Sequence, residues 1–167
     1  QDVQLTSQKI TLAPHVRLDF GGFGKGWLVD KLAAIVDGPV IVNGGGDIYV
    51  KGPMQPLLIE HPLTAGQAIG SVAVGDESLC SSSRQKRVWR DAKGQEQSHI
   101  PGQSNLLSVH VRAESALVAD TLGTVFLLVD HAERLELAAQ FNAEFLEITQ
   151  DLDFWQTPGF GLEPFRS

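Results

Sequence analysis

The chain has 167 residues, which is enough for one domain with a hydrophobic core and gives no reason to expect two. Its shares of 43% hydrophobic and 20% charged residues are typical of a globular domain. A net charge of -7 disfavours a nucleic-acid partner, because phosphate backbones require a basic surface. No apolar run is long enough to predict a membrane span. The single cysteine, Cys80, excludes an internal disulfide and a cysteine-based zinc site.

The spacing of apolar residues predicts both strands and helices, without a regular βαβ alternation. The predicted strands, in chain order, cover residues 3–12 (an edge strand or hairpin), 16–20, 39–42, 47–50, 57–60, 71–74, 106–111 and 145–149. The predicted helices cover residues 27–36, 116–129 and 132–141. The polar and basic stretch 81–97 predicts a hairpin with its turn at 91–94, and the tail after Thr157 is expected to be loose. The sequence therefore predicts a single α+β domain over residues 1–167, with a mixed β-sheet and packed helices.

Three short segments carry the residues with the most specific chemistry. Leu18 to Gly26 and Val42 to Asp47 are glycine loops, and each follows an apolar, strand-like run. The third segment places Asp120 and Thr124 four residues apart, which is one above the other on a helix. Backbone loops together with a carboxylate and a hydroxyl suit a divalent cation and a phosphate.

Each glycine loop has two interpretations. The glycines of the first run G-x-x-G-x-G, which matches neither the dinucleotide fingerprint nor the P-loop. Its amides at the start of a helix favour an anion, and Lys25 adds a positive charge, but the loop is equally consistent with a tight turn. The second loop either approaches a ligand or forms a structural turn, with Asp47 as a partner for a loop amide or a ligand hydroxyl.

Asp120 and Thr124 also have two interpretations. They lie on a helix whose other positions are almost all apolar, and a buried carboxylate needs a partner such as a cation. Oxygen ligands of this kind indicate Mg²⁺ or Ca²⁺. The alternative is a solvated Asp120, with Thr124 bonding back to its carbonyl. No two histidines are spaced as helical metal ligands, and Cys80 is expected to be a buried, inert thiol.

Taken in order, these segments resemble the ApbE family, flavin transferases that use FAD to attach FMN to proteins. Val42 to Ile48 resembles the family's N-L-G-G-D-I loop, and Ala119 to Thr124 resembles its A-D-A-L-A-T helix. The stretch from Ser82 to Ile100 resembles its hairpin from T-S-G to H-I. The first loop resembles D-L-G-G-I-A-K-G-Y-A-V-D, with in-register matches at Asp19, Gly21, Gly22, Lys25, Gly26 and Asp30.

The resemblance implies roles for these residues. It implies Mg²⁺ bound by the backbone carbonyl of Gly24 with the side chains of Asp120 and Thr124. It also implies that His99 assists proton transfer or orients the pyrophosphate. The positions implied to form the FAD pocket are Gly21, Gly22, Lys25, Trp27, Asn43, Gly45, Asp47 and Ile100. The implied reaction transfers FMN from FAD to a threonine of an acceptor protein and releases AMP, with hydrolysis of FAD by a pyrophosphatase as the alternative activity.

The resemblance also implies partners and marks two departures. The acceptor protein would belong to a membrane redox complex, and a second copy of the chain, in a homodimer, is a further candidate partner. The location would be periplasmic if the chain follows the family and cytoplasmic otherwise. Family members usually carry an additional N-terminal half, and Pro101 to Asn105 replaces the I-D-P-R-T-G continuation of their H-I motif. A flavin or nucleotide-binding remnant without turnover, or a partner-binding module, is therefore the alternative to an enzyme.

Overall fold

The computed structural model describes residues 2–85, 88–90, 94, 96–98 and 105–165. The helices in these residues are α1 (Gly24–Ala34), α2 (Ala116–Phe126) and α3 (His131–Gln140). The strands are β1 (Val3–Leu5), β2 (Ile10–Leu12), β3 (Val40–Asn43), β4 (Asp47–Lys51), β5 (Gln55–Glu60), β6 (Ala68–Val74), β7 (Glu77–Ser83), β8 (Val88–Arg90), β9 (Glu96–Ser98), β10 (Leu106–Ala113), β11 (Glu144–Thr149), β12 (Phe154–Gln156) and β13 (Glu163–Pro164).

A six-stranded sheet forms the middle layer, in the order β12-β11-β10-β7-β4-β3. Helix α2 lies against β7 and β10, and α1 lies against β3 and β4. A three-stranded sheet, β13-β6-β5, forms a separate layer, and β1-β2 and β8-β9 are hairpins. The predicted α+β class with packed helices is confirmed. The described strand pairs are all antiparallel, where the sequence analysis expected mixed directions.

The alternation of strand side chains divides the core in two. On β11, Phe145 packs with Phe126 of α2, while the next residue, Leu146, packs with the second cluster. The first cluster fills the space between the helices and the large sheet. The second contains Ile59 and Val72 of the small sheet. Two buried layers on opposite faces of one sheet follow from the two-residue period of a strand.

Two predictions about the ends of the domain were wrong. Residues 16–20 form no strand, because Val16 donates to the carbonyl of Ala13 in a turn and Phe20 accepts the amides that open α1. The tail is not loose, because Phe160 is fully buried in the second cluster and β13 pairs with β6. The hairpin predicted within 81–97 is confirmed by β8 and β9, and its turn residues 91–93 lie outside the described residues.

Candidate functional site

The two helices that carry the first and third segments touch at Gly26. A Cβ atom built on Gly26 would lie 2.2 Å from the carbonyl oxygen of Ala116 and 2.8 Å from Cβ of Asp120. Contacts that short do not occur between real side chains, so only glycine lets α1 and α2 approach this closely. The glycine loop is thereby held against the Asp120 face of α2.

The carboxylate of Asp120 is buried at this contact. The residue is 2% exposed, and its Oδ2 accepts a hydrogen bond of 2.9 Å from the amide of Gly26. Its Oδ1 lies 3.5 Å from Nζ of Lys25. The interpretation of Asp120 as a solvated residue is therefore wrong, because the close packing of α1 excludes water from this side of α2.

Thr124 lies one helical turn beyond Asp120 and also faces the glycine loop. A Cβ atom built on Gly22 would lie 3.3 Å from Oγ1 of Thr124. Among the residues that the structure describes, this hydroxyl makes no hydrogen bond. The back-bond proposed for it is instead made by Thr121, whose hydroxyl donates to the carbonyl of Leu117 at 2.7 Å. The Thr124 hydroxyl is therefore free to bind a ligand.

Lys25 connects the first loop to the second. Its ammonium forms an ion pair with Oδ2 of Asp47. Asp47 is the first residue of β4 and is only 1% exposed. Asp47 was expected to bind a loop amide or a ligand hydroxyl; its partner is the ammonium instead. Lys25 was expected to offer a free charge to an anion, but it faces the carboxylates of Asp47 and Asp120. Three residues predicted separately thus form one charge cluster, in which both carboxylates are buried and the ammonium is partly exposed.

The second glycine loop is a turn stabilised by its own asparagine. Oδ1 of Asn43 accepts hydrogen bonds from the amides of Gly45 and Gly46, at 2.9 and 3.0 Å. Gly45 has a φ of 84° and Gly46 a φ of 103°, a region that favours glycine. These contacts account for the turn without a ligand.

Asp30 lies on α1, four residues after the first segment, and the sequence analysis gave it no role. Its carboxylate accepts the amides of Ala116 and Leu117, at 2.8 and 2.9 Å, and so caps the start of α2 from α1. Nearby, the thiol of Cys80 is fully buried and donates to the carbonyl of Ala116 at 3.7 Å. Burial, with a smaller effect of Asp120, raises the pKa of Cys80 far above its ordinary value, as expected for an inert thiol.

The remaining predicted site residues lie around this cluster or outside the described residues. The amide of Gly21 donates to Asp19 Oδ1 at 2.7 Å, and Gly24 is the first residue of α1. Trp27 is 50% exposed on α1, with Nζ of Lys31 5.7 Å from its ring centroid. His99 and Ile100 lie outside the described residues.

No group of three or more His, Cys, Asp or Glu side chains in the described ranges is arranged to hold a metal ion. Within the same ranges, none of the helices is long and apolar enough to cross a membrane.

Comparison with known proteins identifies the family to which the chain belongs. The model of the ApbE family matches residues 1–146. The chain therefore belongs to the ApbE family. It is 29% identical, over an alignment 169 positions long, to the FAD:protein FMN transferase of Haemophilus influenzae, covering 88% of this chain and 49% of that protein. The chain thus spans about half the length of this relative.

Solved structures of the family share the fold. The ApbE protein of Thermotoga maritima superposes with a TM-score of 0.79 at 19% identity, over 95% of this chain and 58% of that chain. The flavin transferase ApbE of Vibrio cholerae gives a TM-score of 0.72 at 22% identity, over 95% and 57%. The flavinyl transferase ApbE of Pseudomonas stutzeri gives 0.68 at 21% identity, over 93% and 53%.

Proposed function

We propose that the chain is a Mg²⁺-dependent flavin transferase, moving FMN from FAD to a threonine of an acceptor protein with release of AMP. The observation that carries this proposal is the buried carboxylate of Asp120, held against the glycine loop by the Gly26 amide beside the Thr124 hydroxyl. The name of the Haemophilus influenzae relative, FAD:protein FMN transferase, supports the same activity.

The residues present suit Mg²⁺, which prefers oxygen ligands. Oδ2 of Asp120 is occupied by the Gly26 amide, so Oδ1 is the oxygen that would bind the metal. The Thr124 hydroxyl has no hydrogen-bond partner among the described residues, and the Gly24 carbonyl would be the third protein ligand. When bound, Mg²⁺ would neutralise the negative charge of the FAD pyrophosphate during transfer.

In the proposed reaction the acceptor's threonine hydroxyl oxygen forms a bond to the FMN phosphorus. The bond from that phosphorus to the oxygen of AMP breaks, and AMP leaves with the bonding electrons. The hydroxyl proton needs an acceptor, for which His99 is the candidate. The amides of Gly21 and Gly22 would bind phosphate oxygens, because glycine lets the backbone approach an anion at the start of a helix. Trp27 and Ile100 would contact FAD.

The test is to incubate the protein with FAD, Mg²⁺ and a threonine-containing acceptor protein, and to measure AMP by chromatography and covalent flavin fluorescence on the denatured acceptor. We expect both products from the wild type and neither from Asp120→Asn. The matched control is Asp151→Asn, which removes the same charge from an exposed turn. We expect this control to retain full activity.

Because Asp120 is buried, its replacement risks unfolding the protein, so Thr124→Val is the second variant. It keeps the shape of the side chain and removes a hydroxyl with no hydrogen-bond partner among the described residues, so we expect an unchanged melting temperature and a large loss of AMP release. A folded wild-type protein that releases no AMP above background with Mg²⁺ and acceptor present contradicts the transferase proposal.

A second candidate function is flavin or nucleotide binding without turnover. The observation that favours it is that the chain matches only 49% of the length of its transferase relative. It predicts that FAD with Mg²⁺ raises the melting temperature by mass action while no AMP forms. The same samples used for the activity assay distinguish the two functions.

A further inference from the structure

The charge cluster around Lys25 contains an internal cation at the proposed metal site. The ammonium of Lys25 forms an ion pair with Asp47 and lies 3.5 Å from Oδ1 of Asp120. Both aspartates are almost fully buried, at 1% and 2% exposure, while the Lys25 side chain is 38% exposed. Two buried carboxylates are costly without a cation, and Lys25 supplies one.

The position of the ammonium matters because of the oxygen that it faces. Oδ2 of Asp120 is occupied by the amide of Gly26, which leaves Oδ1 as the oxygen for a metal. Oδ1 is also the oxygen nearest Lys25. A Mg²⁺ ion binds a carboxylate oxygen at about 2.1 Å. A metal on Oδ1 would therefore stand close to the ammonium, and the two cations would repel each other.

We propose that Lys25 competes with the metal for Asp120. In the metal-free protein the ammonium of Lys25 neutralises Asp120. When Mg²⁺ binds Asp120, Asp47 is the second anchor, which holds the ammonium. The inference rests on the proposed function, since it assumes that Asp120 is a metal ligand. Lys25 and Asp47 are positioning residues here, because they act on the metal through Asp120.

The proposal predicts changes in Mg²⁺ affinity of opposite sign for two variants. Asp47→Asn removes the second anchor, so Lys25 moves fully to Asp120 and Mg²⁺ binding weakens. Removing the ammonium together with its anchor, in Lys25→Met/Asp47→Asn, leaves Asp120 open to the metal, and Mg²⁺ binding becomes tighter than in the wild type. Since both carboxylates are buried and lie close to the ammonium, we expect a change of about tenfold or more in each direction. A merely structural pair would weaken Mg²⁺ binding in both variants.

The experiment is calorimetric titration of each variant with MgCl₂ in the absence of FAD, with melting temperatures recorded with and without Mg²⁺. Lys31→Met is the matched control, because it removes the same charge from the same helix away from Asp120. We expect this control to bind Mg²⁺ as the wild type does. The double variant is preferred to Lys25→Met alone, because the single change leaves two buried carboxylates without their cation.

The outcomes separate this inference from the proposed function. If the wild type binds Mg²⁺, Asp120→Asn does not, and the double variant binds no more tightly, the role of Lys25 is overturned while the metal site stands. If the double variant binds Mg²⁺ and the wild type does so more weakly or undetectably, the inference is supported. If neither protein binds Mg²⁺, the metal site and the role of Lys25 both fail.

Discussion

Replacing Gly26 with alanine tests the contact on which the whole site depends. The added Cβ atom would lie 2.2 Å from the carbonyl oxygen and 2.6 Å from the carbonyl carbon of Ala116. Both are backbone atoms, so no side-chain rotation can relieve the overlap, and α1 must move away from α2. That movement also stretches the hydrogen bond of 2.9 Å from the Gly26 amide to Asp120.

Three terms set the size of the effect. Alanine in a helix is favoured over glycine by about 1 kcal/mol. Overpacking a close contact costs about 1–3 kcal/mol, and weakening a hydrogen bond to a charged group costs about 1.5–3 kcal/mol. The two losses exceed the gain, so Gly26→Ala is expected to lower the free energy of unfolding by about 1.5–5 kcal/mol. For a chain of this size the melting temperature would fall by about 3–20 °C.

The matched control is Gly24→Ala, two residues earlier in the same helix. A Cβ atom there would meet only Cβ of Phe20, at 3.9 Å, which is ordinary contact. We expect the control to be neutral or slightly more stable, because it gains helix propensity without a clash. Urea unfolding followed by circular dichroism measures both variants. Equal stability of Gly26→Ala and Gly24→Ala would refute the close contact of α1 with α2.

Three further variants test other parts of the fold. Asp30→Asn weakens the cap on α2 and is expected to cost about 1–3 kcal/mol in urea titration, whereas Asp151→Asn costs nothing measurable. Phe160→Ala is expected to cost about 3–5 kcal/mol by calorimetry, and a loss near zero would mean that the tail is loose after all. Burial, and to a smaller extent nearby carboxylates, raises the pKa of Tyr49 above its ordinary value of 10.0. The folded protein therefore holds the phenol proton more tightly than the unfolded chain does. The stability that this contributes is complete below pH 10.0 and is lost as the pH rises from there through the pKa of the folded state. Melting temperatures of Tyr49→Phe should lack this alkaline loss.

The periodicity of apolar residues predicted the helices and strands that bury a continuous apolar face. Helix α2 and strand β10 have largely apolar patterns and both begin where expected, although α2 ends at Phe126 and not at the predicted Val129. Helix α1 begins at Gly24, ahead of the predicted Trp27, because glycine has a poor helix propensity and sequence alone does not show the tertiary contacts that hold this first turn. The tail was missed because its buried residues, such as Phe160, are too few to form a pattern.

The sequence indicated which segments form the candidate site, but it did not indicate which of their side chains contact each other. The order of the motifs indicated that the first loop and Asp120 belong together, and the hydrogen bond from Gly26 to Asp120 joins them. The ion pair of Lys25 with Asp47 spans 22 positions and two elements, and no local spacing predicts it. The same holds for Asp30, whose carboxylate caps a helix 86 positions away. Such pairings depend on the packing of α1 on α2, which exists only in the folded chain.

The contacts that position the proposed metal site are also the contacts that hold α1 to α2. The amide of Gly26 and the ammonium of Lys25 both engage Asp120, and Asp30 caps the helix that carries it. A change in any of these residues therefore alters stability and metal binding together, so a loss of activity alone cannot assign a role to them. Thr124 is the exception, because its hydroxyl makes no hydrogen bond within the described residues and contributes little to the fold. A loss of Mg²⁺ binding in a fully stable Thr124→Val protein would therefore identify a metal ligand more directly than the same loss at Asp120.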